Sequence, residues 1–328
     1  MADQRNQVNI PVGLVPKVWA KKVWHEGLKE SYFDKFTALD GSNVVHKNKD
    51  LENVKGDSVV FGLMMNLTGS GVEGNRAKLS GAEDNLNIYD FTVQTQLVRN
   101  AVSRFEADDQ KTQYDMLKEI KSALKQWLSD WLDDRLISKL TGSPSSNGEV
   151  VYASAAGTQA SITANDKLTT TIISRAKRKA MMHGPKVQPI KVDGMDKYIM
   201  LVSPWAAKDL KDDEKWLKAQ QNANVRGSKN PIFTGALGEY DGVILYEYER
   251  VASSATGASS ANVCTNLLLG KQAACFAVAR PAKHIEQTDD YGNIAGNGIA
   301  FYGAVERTKF NGKDYGLIQV VTGGAVER

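Results

Sequence analysis

Cysteine is nearly absent from this sequence: Cys264 and Cys275 are the only two, and four histidines accompany them. That inventory cannot build a disulfide scaffold or a cysteine-rich zinc module. Long apolar runs are missing as well, and none approaches the ~18 residues of a membrane-spanning helix. The opening residues, Met-Ala-Asp-Gln-Arg-Asn-Gln, lead into no apolar stretch of the secretory kind. A charge bias is lacking too. Lys and Arg number 41 against 38 Asp and Glu, and the resulting +3 does not indicate a basic nucleic-acid coat. These absences predict a soluble protein folded in a reducing compartment. With 328 residues, 42% of them apolar and 24% charged, the chain is globular in composition. Its length suits about two domains.

Motifs for catalysis and cofactors also fail. Gly69-Ser70-Gly71-Val72-Glu73-Gly74 fits G-x-G-x-x-G directly after a strand pattern. A dinucleotide site needs a helix to open there, so that backbone N–H groups meet the pyrophosphate. Residues 75–81 carry no helical pattern, so the stretch reads as a hairpin tip. Gly270-Lys271 lacks the upstream glycine and the following Ser or Thr of a phosphate loop. His25, His46, His183 and His284 are scattered, and after His25-Glu26 position 29 is lysine where a zincin has its second histidine. Asp289-Asp290, close to Tyr291-Gly292-Asn293, reads as a calcium loop or a plain solvated turn, and the missing closing glutamate favours the turn. No Gly-x-Ser-x-Gly elbow occurs. The residues thus predict no enzyme, no cofactor and no metal site.

What is present is periodicity. In 57–67, Val59, Phe61, Leu63, Met65 and Leu67 alternate with their neighbours, and in 89–97 Tyr89, Phe91, Val93 and Leu97 do the same. Both are strand patterns. The phase is lost after Leu97, which predicts a bulge or bend. Between the two lie eighteen Gly-rich polar residues, 68–85, longer than structureless connections usually run. A long hairpin with such a tip calls for a partner surface. Leu117, Ile120, Leu124, Trp127 and Trp131, continued by Leu132, Leu136 and Leu140, predict a helix over 108–140 capped by Asp108 or Asp109. Its polar face is mixed, with seven acidic and six basic side chains. A second helix is expected over 166–182, capped by Asn165 or Asp166, with Leu168, Ile172, Ile173 and Ala176 inward. Short helices open at Pro204-Trp205 and Glu214, and buried strands are expected at 198–202, 243–248, 263–269 and 275–279. Ile299–Thr308 and Tyr315–Val321 flank an Asn311-Gly312 turn and read as a hairpin. Strands and helices mix without a βαβ rhythm, which argues for an α+β fold.

Two segments leave alternatives open. Around Trp19, Val23, Trp24, Tyr32, Phe33 and Phe36, the opening 56 residues form either a helix packed on the chain's own core or an arm whose aromatics dock on a neighbouring subunit. Across 166–191, Lys167, Arg175, Lys177, Arg178, Lys179, Lys186 and Lys191 oppose only Asp166. That face is either merely solvated or in contact with a polyanion such as DNA.

Pro16-Lys-Val-Trp-Ala-Lys-Lys-Val-Trp24, Lys55-Gly-Asp-Ser-Val-Val-Phe-Gly62 and Leu67-Thr-Gly-Ser-Gly-Val-Glu-Gly74 together resemble the tailed-bacteriophage major capsid proteins of the coliphage N-four family. Val192-Asp-Gly194, Pro204, Asn230-Pro-Ile-Phe-Thr-Gly-Ala-Leu-Gly-Glu-Tyr-Asp-Gly-Val243 and Thr308-Lys-Phe-Asn-Gly-Lys-Asp-Tyr-Gly316 extend the likeness along nearly the whole chain. The resemblance implies a Hong Kong 97-type capsid fold. Its parts would be an N-terminal arm (1–56), an extended hairpin loop (57–105), a peripheral domain (106–183) with the spine helix 108–140, an axial domain (184–283), and return strands to the peripheral domain (284–328). It implies self-assembly, as hexamers and pentamers, into an icosahedral head around double-stranded DNA, in the cytoplasm of a bacterial host. No long scaffold segment precedes the arm, so a separate scaffolding protein is expected, together with a portal. Trp19, Trp24, Arg76, Lys78, Arg226 and Lys229 are the candidate inter-subunit contacts. Arg175, Lys177, Arg178 and Lys179 are the candidate DNA-facing residues, in weak non-specific contact. A cellular nanocompartment shell of the same fold, or a non-shell DNA-binding protein using 166–191, are the other readings.

Overall fold

The computed structural model describes residues 31–324 apart from 53–55, 66, 68, 70, 75–79, 82, 106, 108–110, 112–114, 146–148, 156, 193, 223–236 and 252. Trp19, Trp24, Arg76, Lys78, Arg226 and Lys229 lie outside the described residues. In chain order the strands are β1 (Thr37–Ala38), β2 (Val45–Asn48), β3 (Ser58–Met64), β4 (Ile88–Gln94), β5 (Gln96–Phe105) and β6 (Val150–Tyr152). They continue as β7 (Ile190–Val192), β8 (Met195–Val202), β9 (Gly238–Tyr240), β10 (Val243–Glu247), β11 (Ser253–Ser254) and β12 (Val263–Leu269). The last are β13 (Ala274–Asp289), β14 (Ile294–Arg307), β15 (Lys309–Phe310), β16 (Lys313–Asp314) and β17 (Leu317–Gly323). The helices are α1 (Met116–Thr141), α2 (Thr170–Met182), α3 (Pro204–Lys211) and α4 (Glu214–Asn222).

The core belongs to the larger sheet, ordered β6-β17-β12-β8-β10-β9 with β11 and β7 at its margins. β12 and β17 are near-continuous apolar runs, as strands covered on both faces must be. Leu268, Ile318, Val320, Met200, Val202 and Leu245 face α2, α3 and Trp216 of α4, whereas Leu201, Leu267, Leu269 and Leu317 face Leu136, Ile137 and Leu140 of α1. Polar groups inside this sheet are paired. Asn266 accepts from the Ser203 backbone N–H at 3.0 Å and donates to Thr322 Oγ1 at 3.0 Å.

The second sheet, ordered β1-β2-β13-β14-β5, is a long twisted ribbon. β13 and β14 pair antiparallel from Ala274↔Arg307 to Asp289↔Ile294, and β5 lies along the outer part of β14. α1 joins the two sheets. Its 26 residues span ~39 Å at 1.5 Å per residue. Leu128 packs on Val278 and Phe301 of the ribbon, and Lys121 pairs with Glu286 at 2.8 Å.

The C-terminal end of α1 is held by a buried polar cluster. Gln319 donates to the carbonyls of Leu140 (3.1 Å) and Gly142 (2.7 Å), two of the groups a helix leaves unpaired at its end. Arg307 donates to Ser143 O at 2.7 Å. Its Nε sits 3.0 Å from Asp314 Oδ1, close as a charge contact although not aligned as a hydrogen bond. Asp314 accepts in turn from the N–H and hydroxyl of Ser145, at 3.0 and 2.7 Å.

Several expectations change here. α1 starts at Met116, where Asp115 caps it by accepting from the Lys118 N–H at 3.2 Å; Asp108 and Asp109 lie outside the described residues. α2 starts at Thr170, and its cap comes from outside: Asp213 accepts from the N–H and hydroxyl of Thr170 at 2.8 and 2.9 Å. Asp166 instead closes a turn on Thr163. The expected hairpin of 299–308 with 315–321 does not form. The Asn311-Gly312 turn closes only the short β15–β16 pair, β14 pairs with β13 and β5, and β17 enters the larger sheet between β12 and β6. Gly316 makes this possible. It has φ +71°, and a Cβ there would lie 2.7 Å from Lys271 O. The strands of 284–328 therefore do not all return to one sheet, and α2 and β6 of 106–183 pack with the larger sheet.

Candidate assembly surfaces

The β3–β4 hairpin shows why alternation matters. In register, Val59 faces Val93 and Phe61 faces Phe91, and this side packs on Cys275, Ala277 and Ala304 at the ribbon's root. The other side pairs Val60 with Thr92, Gly62 with Asp90 and Met64 with Ile88, so its apolar residues flank one exposed carboxylate. Nothing in the subunit covers it among the described residues: Met64 and Ile88 are each 63% exposed, and Leu67 and Leu86 beyond them are exposed too. Gly69 N–H donates to Asp84 Oδ2 across the start of the tip. At the hairpin's other end Thr95 donates both its N–H and hydroxyl to Asp57 O at 2.8 Å. There the chain leaves the hairpin for β5, two residues before the break read from the sequence. The G-x-G-x-x-G glycines thus sit in a connection between antiparallel strands.

The root of the N-terminal segment is fixed to the body. Phe33 and Phe36 are buried, Tyr32 stacks on Tyr248 with centroids 4.2 Å apart, and Lys35 Nζ lies over the rings of Tyr32 (3.9 Å), Tyr246 (4.5 Å) and Phe36 (4.8 Å). Asp133, inward on α1, accepts from Ser31 Oγ at 2.7 Å and from the Tyr32 N–H at 2.8 Å. Arg250 completes the junction with Asp130 at 2.7 Å and Asp134 at 2.8 Å. The sequence reading missed both Asp133 and Arg250. The available signal for Asp133 was its place on the apolar stripe, three residues before Leu136.

Burial outweighs the donors from Ser31, Tyr32 and Phe33 and the nearby Arg250, and lifts the Asp133 carboxyl above the usual aspartate range. An acid raised in the folded state holds its proton more tightly there than in the unfolded chain, where the value is about 3.9. Its contribution to stability is complete below that value and fades as pH climbs through the raised folded one. Asp133→Ala should therefore cost more stability near pH 4 than near pH 7 in paired urea titrations. A larger loss at neutral pH would show that the donors dominate instead.

The four basic residues of α2 divide. Lys177 pairs with Asp241 at 2.9 Å, Lys179 Nζ donates to Val150 O at 2.5 Å, and Arg175 donates to Tyr152 O. These bonds tie α2 to β6 and to the β9–β10 turn. Arg178 is exposed and has no hydrogen-bond partner among the described residues. At the far end of the ribbon, Asp289 and Asp290 spend their carboxylates on the turn, accepting from the Asp290 N–H and from Asn293 Nδ2. Tyr291, at its apex, is fully exposed. The described residues contain no group of three or more His, Cys, Asp or Glu able to hold a metal ion. Burial pushes the Cys275 thiol up to about 11, which leaves it a thiol at neutral pH.

A large sheet bridged by one long helix to a ribbon-like second sheet, with a hairpin that leaves Val60, Met64 and Ile88 exposed, suits a subunit that associates with copies of itself. Comparison with known proteins agrees. Residues 13–326 match the family model described as phage capsid protein. The major capsid protein of Pseudomonas phage KPP25 is 24% identical, over 92% of this chain and 93% of that one. Among solved structures, the capsid of Ralstonia phage GP4 is 25% identical with a TM-score of 0.83, covering 98% of this chain and 99% of that one. The capsid asymmetric unit of cyanophage Pam1 is 22% identical with a TM-score of 0.87, over 98% and 100%. The chain belongs to the phage capsid protein family. It is a tailed-phage major capsid protein of the Hong Kong 97-like fold, a structural component of the icosahedral head of the virion and not an enzyme.

Proposed function

We propose that this capsid subunit belongs to the coliphage N-four group and assembles in the host cytoplasm, as hexamers and pentamers, around double-stranded DNA. The observation that carries the assembly mechanism is the exposure of Val60, Met64 and Ile88 on the side of the β3–β4 hairpin that no described residue covers. Its opposite side is anchored on the ribbon, so the hairpin projects as part of the subunit and offers Val60, Met64 and Ile88 to a neighbour. Closed symmetry repeats each such contact around the shell. The N-terminal segment, with Trp19 and Trp24, and the tip and loop cations Arg76, Lys78, Arg226 and Lys229 supply further contacts in this proposal. Peripheral and axial domains are assigned to the ribbon with α1 and to the larger sheet. A scaffolding protein that guides the size of the shell and a portal that opens it to the genome complete the partners in this proposal. DNA is held weakly and without sequence preference, consistent with a net charge of only +3. Electron microscopy of purified particles combined with nuclease digestion tests this reading. Protected double-stranded DNA inside closed shells supports it, and shells filled with cargo protein and free of DNA would replace it with a nanocompartment.

A further inference from the structure

Beside the C-terminal end of α2 lies a cavity of about 540 Å³ walled by Arg175, Arg178, Lys179, Met182, His183 and Lys313. The cations come from two distant parts of the chain, α2 and the β15–β16 pair, so the fold and not a sequence run gathers them. None of the described residues lining the cavity is acidic. The Asp241 carboxyl is held below its usual range by its hydrogen bond from Lys177 first and by the charge of Arg178 last, and Lys177 already engages it at 2.9 Å. Arg175 and Lys179 are held in place by the β6 carbonyls of Tyr152 and Val150. A carbonyl orients a cation without neutralising it. Lys313 reaches only Gly184 O, at 3.4 Å, and His183 Nδ1 lies 3.1 Å from Pro185 O. The Lys179 ammonium is also held below its usual pKa, by burial first and by repulsion from Arg175 second. Four positive side chains therefore share one recess whose described lining holds no carboxylate.

We infer that this recess binds a phosphate-type oxyanion, and that the phosphodiester backbone of nucleic acid is its source. The first part stands on the recess alone; the second rests on the proposed contact between shell and DNA. Arginine and lysine suit this role because guanidinium forks and ammonium groups both match phosphate oxygens. The backbone carries no sequence information, so contact here is non-specific and salt-dependent. Arg178 and Lys313 are the exposed cations of the set and would meet a phosphate, while Arg175 and Lys179 are held on β6.

The test compares three forms of the full chain. They are the wild type, Arg178→Gln with Lys313→Gln, and a control of equal charge change outside the recess, Lys186→Gln with Lys191→Gln. Binding of a short DNA duplex is measured across a salt series, and inorganic phosphate is tested separately by thermal shift. The recess variant should bind duplex roughly tenfold more weakly at low salt, with a salt slope shallower by about one for each lost contact. The control should stay close to wild type. If wild type ignores duplex but is stabilised by phosphate, and the recess variant is not, the oxyanion site stands and the DNA reading falls. If recess and control variants behave alike in both arms, the site is refuted. Because neither Arg178 nor Lys313 supports a buried contact, both variants should keep the wild-type circular dichroism spectrum.

Discussion

Replacing Val60, Met64 and Ile88 together by aspartate is expected to leave a folded, soluble subunit that forms no shells. The three side chains lie on the side of the hairpin that no other described residue covers. Burying an apolar side chain of this size contributes roughly 1.5–3 kcal/mol. Each aspartate removes that gain and adds the cost of taking a charge out of water at the contact. Losses of several kcal/mol per contact, repeated at every subunit, move assembly out of reach. The subunit itself loses nothing, because Val59, Phe61 and Val93 keep the hairpin's other side on the ribbon. Deleting residues 70–83 tests the tip separately and should give the same phenotype. Normal particles from either variant would remove the hairpin from the assembly mechanism.

The second large effect is on stability. Asp314→Ala should destabilise the folded subunit by about 3–5 kcal/mol, the usual consequence of stranding one member of a buried charge pair. Asp314 and Arg307 are both almost inaccessible to water, with side chains 1% and 6% exposed. Removing the carboxylate takes the charge partner from the Arg307 guanidinium and leaves it on the carbonyls of Gly142 and Ser143. It also frees the Ser145 N–H and hydroxyl that fix the chain beyond α1. Asp314→Asn keeps an acceptor for Ser145 and should lose less. Urea unfolding measures both. A loss under about 1 kcal/mol for the alanine variant would place this pair with ordinary exposed salt bridges.

Elements with a clean period were legible in the sequence. The alternation of 58–64 and 88–94 marks a hairpin because one side is buried and one is not. The stripe of Ile120, Leu124, Leu136 and Leu140 marks α1 because it meets two sheets along one face. Expectations failed where the deciding contact is remote. The α2 cap comes from Asp213, forty-three residues away, and no local pattern announces it. β17 was read as the partner of β14 on proximity alone. Its residues are buried on both faces, and such a strand belongs in the middle of a covered sheet, not in a two-stranded hairpin. Asp133 was read with the polar face because charge dominates a single-residue view, although its position lies on the buried stripe. Of the candidate site, the exposed alternate positions of the hairpin could be read directly. The basic recess could not, since Lys313 joins α2 only through the tertiary fold.

Negative-stain electron microscopy of the purified full chain, with sedimentation on the same sample, tests self-assembly most directly. Closed icosahedral shells sedimenting orders of magnitude faster than a single subunit are predicted. A protein that remains monomeric at every concentration, with no closed particles in the images, would contradict it.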